Sequence, residues 1–283
     1  MSGERLPLFC DIELAARIER AEVQLIARSS EAAATRNPAS GAFVIPIAGG
    51  VASFAESDSP FNKVAGLGFA GVPGGIELDE IERRFAAAGA PVQIELCELA
   101  DPALGSLLTE RGYRLASFEN VLGLALDGRP AQASPVGVEV SRSGEDEFET
   151  WLEVVIEGVA HPDAQGLPDH EQFPHEVMAN AERDFAGAGA TRYIARCDGA
   201  VAGGAGLRIT DGIAQLAGAA TTPAYRRRGV QTALLDARLA DAARADCAVS
   251  VVTTQPGSKS QQNVQRRGFD LLYARAVLVK DRW

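Results

Sequence analysis

Tyr225-Arg226-Arg227-Arg228-Gly229-Val230-Gln231-Thr232-Ala233 is the stretch whose residue types point most directly to chemistry. A small apolar run, residues 213–221, precedes it, and Leu235, Leu239 and Ala242 follow at i, i+4 and i+7, the spacing of one helix face. The pattern predicts a strand, a cationic turn bearing a glycine, and a helix N-terminus. The first-turn amides of such a helix have no intrahelical partners and lie at the positive end of its dipole, so they can hold an anion. Glycine admits a ligand close to the backbone, and Arg226, Arg227 and Arg228 add charge. The expected ligand is a phosphate or pyrophosphate; the alternative is a solvated surface turn.

Groups able to move a proton near neutral pH are few. The three histidines, His161, His170 and His175, fall between two predicted helices, with Glu157 just ahead of them. A metal site built from them with Asp163, Asp169 and Glu171 is not favoured, because eight and four residues intervene between successive histidines and match no tight ligand pattern. No metal is expected.

The turn resembles the Q/R-x-x-G-x-G/A motif of the GNAT N-acetyltransferases, with Arg226-Arg227-Arg228-Gly229-Val230-Gln231 in its place. Gln231 departs from the small residue usual at the last position, which is accommodated if its side chain turns away. Thr222-Pro223-Ala224-Tyr225 resembles the approach to that motif, and Arg266-Arg267-Gly268-Phe269 resembles the closing G-F of the family's motif B. The resemblance implies that the amides from Arg228 through Val230, Gln231 and Thr232 to Ala233 meet the pyrophosphate of acetyl-CoA. It also implies that Ala219, Ala220 and Thr221, on a strand splayed from its neighbour, pair with the pantetheine arm.

Motif B departs further. Gly257 and Val264 stand where the family often has Asn and a Tyr that protonates the departing thiolate, so Tyr273 or solvent must supply that proton. Ser260 and Asn263 resemble a variant in which these side chains touch the cofactor, the alternative being an exposed helix surface. The segment holding the histidines lines the acceptor pocket in the family, which makes His161 and Glu157 the base candidates. A lysine-like amine has a pKa near ~10.4, so losing its proton at pH 7 costs about 4–5 kcal/mol unless a base takes it.

The activity so implied is transfer of an acyl group, acetyl above all, from CoA to an amine of a small molecule or peptide by direct attack in a ternary complex. One alternative is a CoA sensor or scaffold without turnover. A transferase using aminoacyl-tRNA is disfavoured by charge and by the intact turn.

The 283 residues suit two domains, and the 46% hydrophobic content supports real cores. The net charge of −11 argues against a nucleic-acid partner. Through Asp127 the chain has 10 basic and 18 acidic side chains, and beyond it 17 and 20, so the second half better suits a polyanionic ligand. Cys10, Cys97, Cys197 and Cys247 lie far apart, as expected of thiols in a reduced compartment. With no signal-like N-terminus and no long apolar run, a cytoplasmic protein that avoids membranes is expected, monomeric or homodimeric.

Stepping along the chain, Leu6 and Leu8 alternate as a short strand, and Asp11 caps a helix carrying Leu14, Ile18, Ala21 and Leu25. A hairpin around Gly49-Gly50, a strand over 63–69, a helix with Ile81 and Phe85, a strand with Val92, Ile94 and Leu96, and a helix with Leu104 and Leu108 follow. Residues 127–135 break every periodicity and read as a linker. Beyond it, Ser143 with Asp146 forms a capping pattern for a helix through Trp151 and Val155. A second helix carries Val177, Ala181 and Phe185, and hairpins turn at Asp198-Gly199 and Asp211-Gly212.

The two halves resemble each other. Arg111-Gly112-Tyr113 with Val121-Leu122 matches Arg267-Gly268-Phe269 with Val277-Leu278 at a constant offset of 156, and Gly49-Gly50 matches Asp198-Gly199. The expected fold is α/β (α+β): two tandem GNAT-like domains, each a mixed, mostly antiparallel twisted sheet flanked by helices. Residues 1–130 form a degenerate copy and 136–283 the catalytic one. In the first copy, 71–80 keeps glycines but the chain there places Glu77, Asp79, Glu80 and Glu82 where phosphates would lie, so one CoA per chain is expected, bound by the second unit alone.

Overall fold

A computed structural model describes residues 6–126, 135–161 and 173–281. The first half holds α1 (Ile12–Arg36), β1 (Phe43–Ile47), β2 (Gly50–Phe54), β3 (Lys63–Ala65), α2 (Gly75–Ala87), β4 (Val92–Cys97), α3 (Ala103–Glu110) and β5 (Arg114–Ala125). The second holds β6 (Val138–Arg142), α4 (Phe148–Ala160), α5 (His175–Gly187), β7 (Thr191–Cys197), β8 (Ala200–Thr210), β9 (Ile213–Thr221), α6 (Val230–Arg244), β10 (Val249–Thr254), α7 (Lys259–Arg266) and β11 (Asp270–Lys280).

All eleven strands join one mixed, mostly antiparallel sheet in the order β1-β2-β3-β4-β11-β5-β10-β9-β8-β7-β6, with β3–β4 and β9–β10 its parallel pairs. The order reveals an exchange. β11, from the second half, lies between β4 and β5 of the first, and β5 pairs with β10 of the second. Each half therefore borrows the last strand of the other, and a cut at residues 127–134 would strip β10 of β5. An isolated second half would therefore lack the strand that pairs with one edge of β10.

The internal repeat is visible in the geometry. Both exchanged strands follow an eight-residue helix that ends on a left-handed glycine, Gly112 at φ 86° and Gly268 at φ 90°. The closing bonds correspond too, Tyr113 N to Leu108 O at 3.0 Å and Phe269 N to Val264 O at 3.2 Å. The hairpin equivalence is displaced by one residue: the turns are Ala48-Gly49 and Asp198-Gly199, each with φ positive at both positions, and Gly50 already belongs to β2.

Several local expectations are corrected. Leu6 and Leu8 form no strand; Leu6 is exposed, and the Leu8 amide donates to Asp270 Oδ2 at 2.8 Å. β3 stops at Ala65 because Gly66 and Gly68 take positive φ. No side chain caps α4, which starts from a 3-10 turn at Glu145–Glu147 rather than from Ser143. The linker residues 127–134 and the loop residues 162–172, with Asp163, Asp169, His170 and Glu171, lie outside the described residues.

Helix α1 locks the halves together. Asp11 Oδ1 caps it by accepting from the Leu14 amide at 2.8 Å, and its Ala15, Ile18 and Ala21 pack with Ile213, Val249 and Val251 of the second half. Arg36 at its end binds Asp184 of α5 at 2.8 Å. Beneath it, Glu19 accepts from Tyr273 and Arg275 at 2.7 and 2.8 Å, a buried ionic knot under the exchanged β11. Three of the four cysteines are buried and all are free.

Candidate functional site

β9 and β10 pair only where Ile213–Gln215 face Val249–Val251; beyond that they diverge. On its other edge β9 bulges against β8, where the register passes from Gly204↔Ala220 to Gly206↔Ala217, and Gly218 turns to φ 56°. The strand thus leaves a row of unpaired backbone groups facing the gap. Arg238 of α6 fills part of the deficit, its Nη1 donating to Gly206 O at 3.1 Å and Ala217 O at 3.5 Å, while Nε donates to Leu234 O at 3.1 Å.

Between the diverging strands lies a cavity of about 110 Å³. β9 contributes Leu216 to Ala219 and β10 contributes Val252 and Thr253. α6 supplies Gln231, Leu235 and Arg238 at i, i+4 and i+7, and α7 supplies Ser260, Asn263 and Val264 at i, i+3 and i+4. Four of the candidate cofactor residues, Ala219, Gln231, Ser260 and Asn263, therefore meet on one cavity. Gln231 lines the gap instead of turning away from it. Ala220 faces the other side, packed under α4, and Thr221 does not line the cavity.

The cavity leads to the N-terminus of α6. Arg227 at φ 63° and Gly229 at φ 87° bend the chain so that the amides of Val230, Gln231 and Thr232 have no intrahelical acceptor. The amide of Ala233 does not belong to this set, because it donates to Gly229 O at 2.9 Å. The side chains of Val230 and Ala233 are core, so these positions offer backbone alone. A Cβ on Gly229 would come 2.8 Å from Pro135, at the start of the second half.

The three arginines divide their roles. Arg226 turns inward, its guanidinium donating to the carbonyls of Thr221, Gly158 and His161, so it caps the C-terminus of α4. Arg228 pairs with Asp198 at 2.5 Å and lies over the Tyr225 ring, which raises its pKa chiefly through the carboxylate bond. Arg227 is exposed.

None of the proposed proton carriers reaches the cavity. Tyr273 is 1% exposed, with its hydroxyl bonded to Glu19 and held protonated well above the ordinary tyrosine range by burial. Burial against that carboxylate excludes it as an acid for a thiolate in the gap. Glu157 is exposed on the outer face of α4, and His161 Nδ1 bonds the Glu157 carbonyl at 2.9 Å, which makes it an end cap of that helix. His175 opens α5. Among the described residues no cluster of three His, Cys, Asp or Glu could hold a metal, and no helix is long and apolar enough to cross a membrane.

Two charged residues absent from the sequence-derived candidates stand beside the β9 bulge. Arg238 is 2% exposed with no carboxylate bonded to it, and burial lowers its pKa to about 10. Its signal was an arginine within the apolar stripe of Leu235 and Leu239. Glu182 of α5, 8% exposed, lies on the far side of Gly218, and nothing in its spacing separates it from an ordinary surface glutamate.

Residues 159–269 match the family model described as Acetyltransferase (GNAT) family. No curated protein matches the chain. Among solved structures, a GCN5-related N-acetyltransferase from Kribbella flavida superposes with a TM-score of 0.67 at 22% identity, covering 94% of this chain and 95% of that one. A tandem GNAT protein from the clavulanic acid biosynthesis pathway gives 0.57 at 15% identity over 97% of both chains. A GCN5-related N-acetyltransferase from Sphaerobacter thermophilus gives 0.55 at 17% identity, over 96% of this chain and 94% of that one. The fold is thus the tandem arrangement of GNAT domains.

Proposed function

We propose, from the match of residues 159–269 to the GNAT acetyltransferase family model, that this chain transfers an acyl group, in the simplest case acetyl, from CoA to an amine by direct attack in a ternary complex. The observation that carries this reading is the junction of an open helix N-terminus with a splayed strand pair. The amides of Val230, Gln231 and Thr232 bind the pyrophosphate, each contributing roughly 1.5–3 kcal/mol, so three supply much of the ~8 kcal/mol of micromolar binding. Arg227 and Arg228 add charge at the rim.

The free edge of β9 takes the amides of the pantetheine arm in place of β10, and Gln231, Ser260 and Asn263 supply side-chain contacts along the gap. Small residues at Ala217, Gly218 and Ala219 leave room for the thioester. Holding amine and thioester together contributes most of the acceleration. The amine nitrogen attacks the carbonyl carbon, the carbon–sulfur bond breaks, and the thiolate takes its proton from the new ammonium or from water, since Val264 stands at the wall where an acid is wanted.

A second reading, CoA binding without turnover, is favoured by Val264. Calorimetry with CoA followed by thiol-release assays on acetyl-CoA with a panel of amines separates the two. Binding with amine-dependent thiol release supports the transferase, binding without release supports the sensor, and no binding overturns both. Residues 1–130 are a degenerate GNAT-like domain without a cofactor site and residues 136–283 the catalytic one, so one CoA binds per chain.

A further inference from the structure

Glu182 makes no hydrogen bond or ion pair with any described residue, and its Oε2 is fully buried without a partner. A buried carboxylate without a donor is costly and calls for a reason. The other buried acids have partners: Glu19 has Tyr273 and Arg275, Glu95 has Lys63, Asp184 has Arg36, and Asp236 has Arg267. The charged neighbours of α5 are also engaged elsewhere. Arg183 pairs with Glu149, Arg36 with Asp184 and Glu56, and Arg208 with Gln215 and backbone carbonyls.

The placement of this carboxylate is specific. Both of its oxygens lie 3.2 Å from where a Cβ on Gly218 would stand. Gly218 is the left-handed residue of the β9 bulge, and it also lines the cavity between β9 and β10. Gly218, with no side chain, thus borders both the carboxylate and the gap. Arg238 approaches the same bulge from α6 on the other face, so the strand is held there by its own helix while Glu182 is left without a bond.

Resting on the acyltransfer reading, we propose that Glu182 is the general base, and that the acceptor is an alkyl ammonium presented from the α5 face of β9. The carboxylate takes one proton from the ammonium, directly or through one water, leaving a neutral amine and a protonated Glu182. The nitrogen lone pair then forms a bond to the thioester carbonyl carbon. As the carbon–sulfur bond breaks, the second nitrogen proton goes to the departing thiolate, giving amide and thiol, and Glu182 returns its proton to solvent. Burial alone raises its pKa to about 7, which matches a base operating near neutrality.

The test uses the full chain, acetyl-CoA and an alkylamine. Glu182→Gln is expected to lower kcat/KM for the amine by about a hundredfold or more at pH 7 and to remove the acidic limb of the pH–rate profile. CoA affinity by calorimetry should stay within threefold. A weakly basic acceptor such as methoxyamine, neutral at pH 7, should lose less than tenfold. Should the Gln variant fail to fold, Glu182→Asp provides the measurement, with an expected tenfold loss and a displaced limb. A variant that keeps wild-type kcat/KM and the same limb overturns the assignment while leaving acyl transfer intact. Wild-type protein that binds CoA but acylates no amine overturns both.

Discussion

The guanidinium of Arg238 lies 3.1 Å from the carbonyl of Gly206, taking a bond that a regular β8–β9 ladder would give to a backbone amide. The bulge that opens the gap is therefore held by a side chain from the helix that also presents the anion site. Arg238→Met keeps the volume but leaves the Gly206 and Ala217 carbonyls without their donor, at a cost of about 2–4 kcal/mol. Urea unfolding should show that loss together with weaker CoA binding. Unchanged stability would show that water or relaxation replaces the arginine at no cost.

At the turn, Gly229→Val meets two obstacles, a positive φ and the Pro135 ring 2.8 Å from the new Cβ. CoA binding should fall below detection, with a lower melting temperature. Arg227→Ala, at an exposed rim, should weaken binding by only about 1 kcal/mol. Arg226→Ala should lower stability as well as affinity, because it frees the carbonyls at the end of α4. Equal effects from Arg226 and Arg227 would argue that Arg226 acts only as a phosphate cation.

How much of this was legible in sequence follows the kind of interaction. The turn and gap depend on backbone geometry, which small residues and a glycine at fixed spacing announce, so Ala219, Gln231, Ser260 and Asn263 were named and converge on one cavity. The exchange of β5 and β11 was not legible, since both strands carry similar patterns and either place in the sheet satisfies them. Tyr273 and His161 were named for their chemistry. What decides their roles is a buried carboxylate 254 residues away for one and a helix end for the other.

The exchange makes a prediction of its own. A fragment starting at residue 136 lacks β5, exposing the edge of β10 and the apolar residues that face α1. It should be insoluble or aggregated when expressed alone, and co-expression with residues 1–130 should recover a soluble pair that binds CoA. A monomeric fragment with full affinity would show that the exchanged strand is dispensable.

One CoA per chain is expected because the described residues of the first half lack both parts of the site. At the start of α2, Glu77 Oε2 accepts from the Gly74 amide at 2.7 Å, which puts a carboxylate where an anion would bind. Past β3 the space is closed, with the Asp101 amide on Gly68 O at 3.1 Å and Leu104 against Gly68. Calorimetric stoichiometry near one checks this, and a second site of comparable affinity would contradict it.

The unpartnered carboxylate also predicts a stability signature independent of turnover. Burial raises the folded pKa of Glu182 from an ordinary 4.5 to about 7. Below pH 4.5 folded and unfolded chains both hold the proton, and the burial costs little. Between 4.5 and 7 the folded chain alone holds it, so stability falls as pH rises, and above 7 the full penalty remains. A shift of this size corresponds to about 3 kcal/mol. Glu119, raised to about 7 by burial and by Glu95, adds a similar slope, so the wild-type profile alone does not isolate Glu182. The difference between wild type and Glu182→Gln does. Urea unfolding at pH 5 and pH 8 should show the variant gaining on wild type by about 2–3 kcal/mol at the higher pH. Parallel profiles would mean that Glu182 is ionised and solvated in the folded protein, which would also remove the basis for its role as a base.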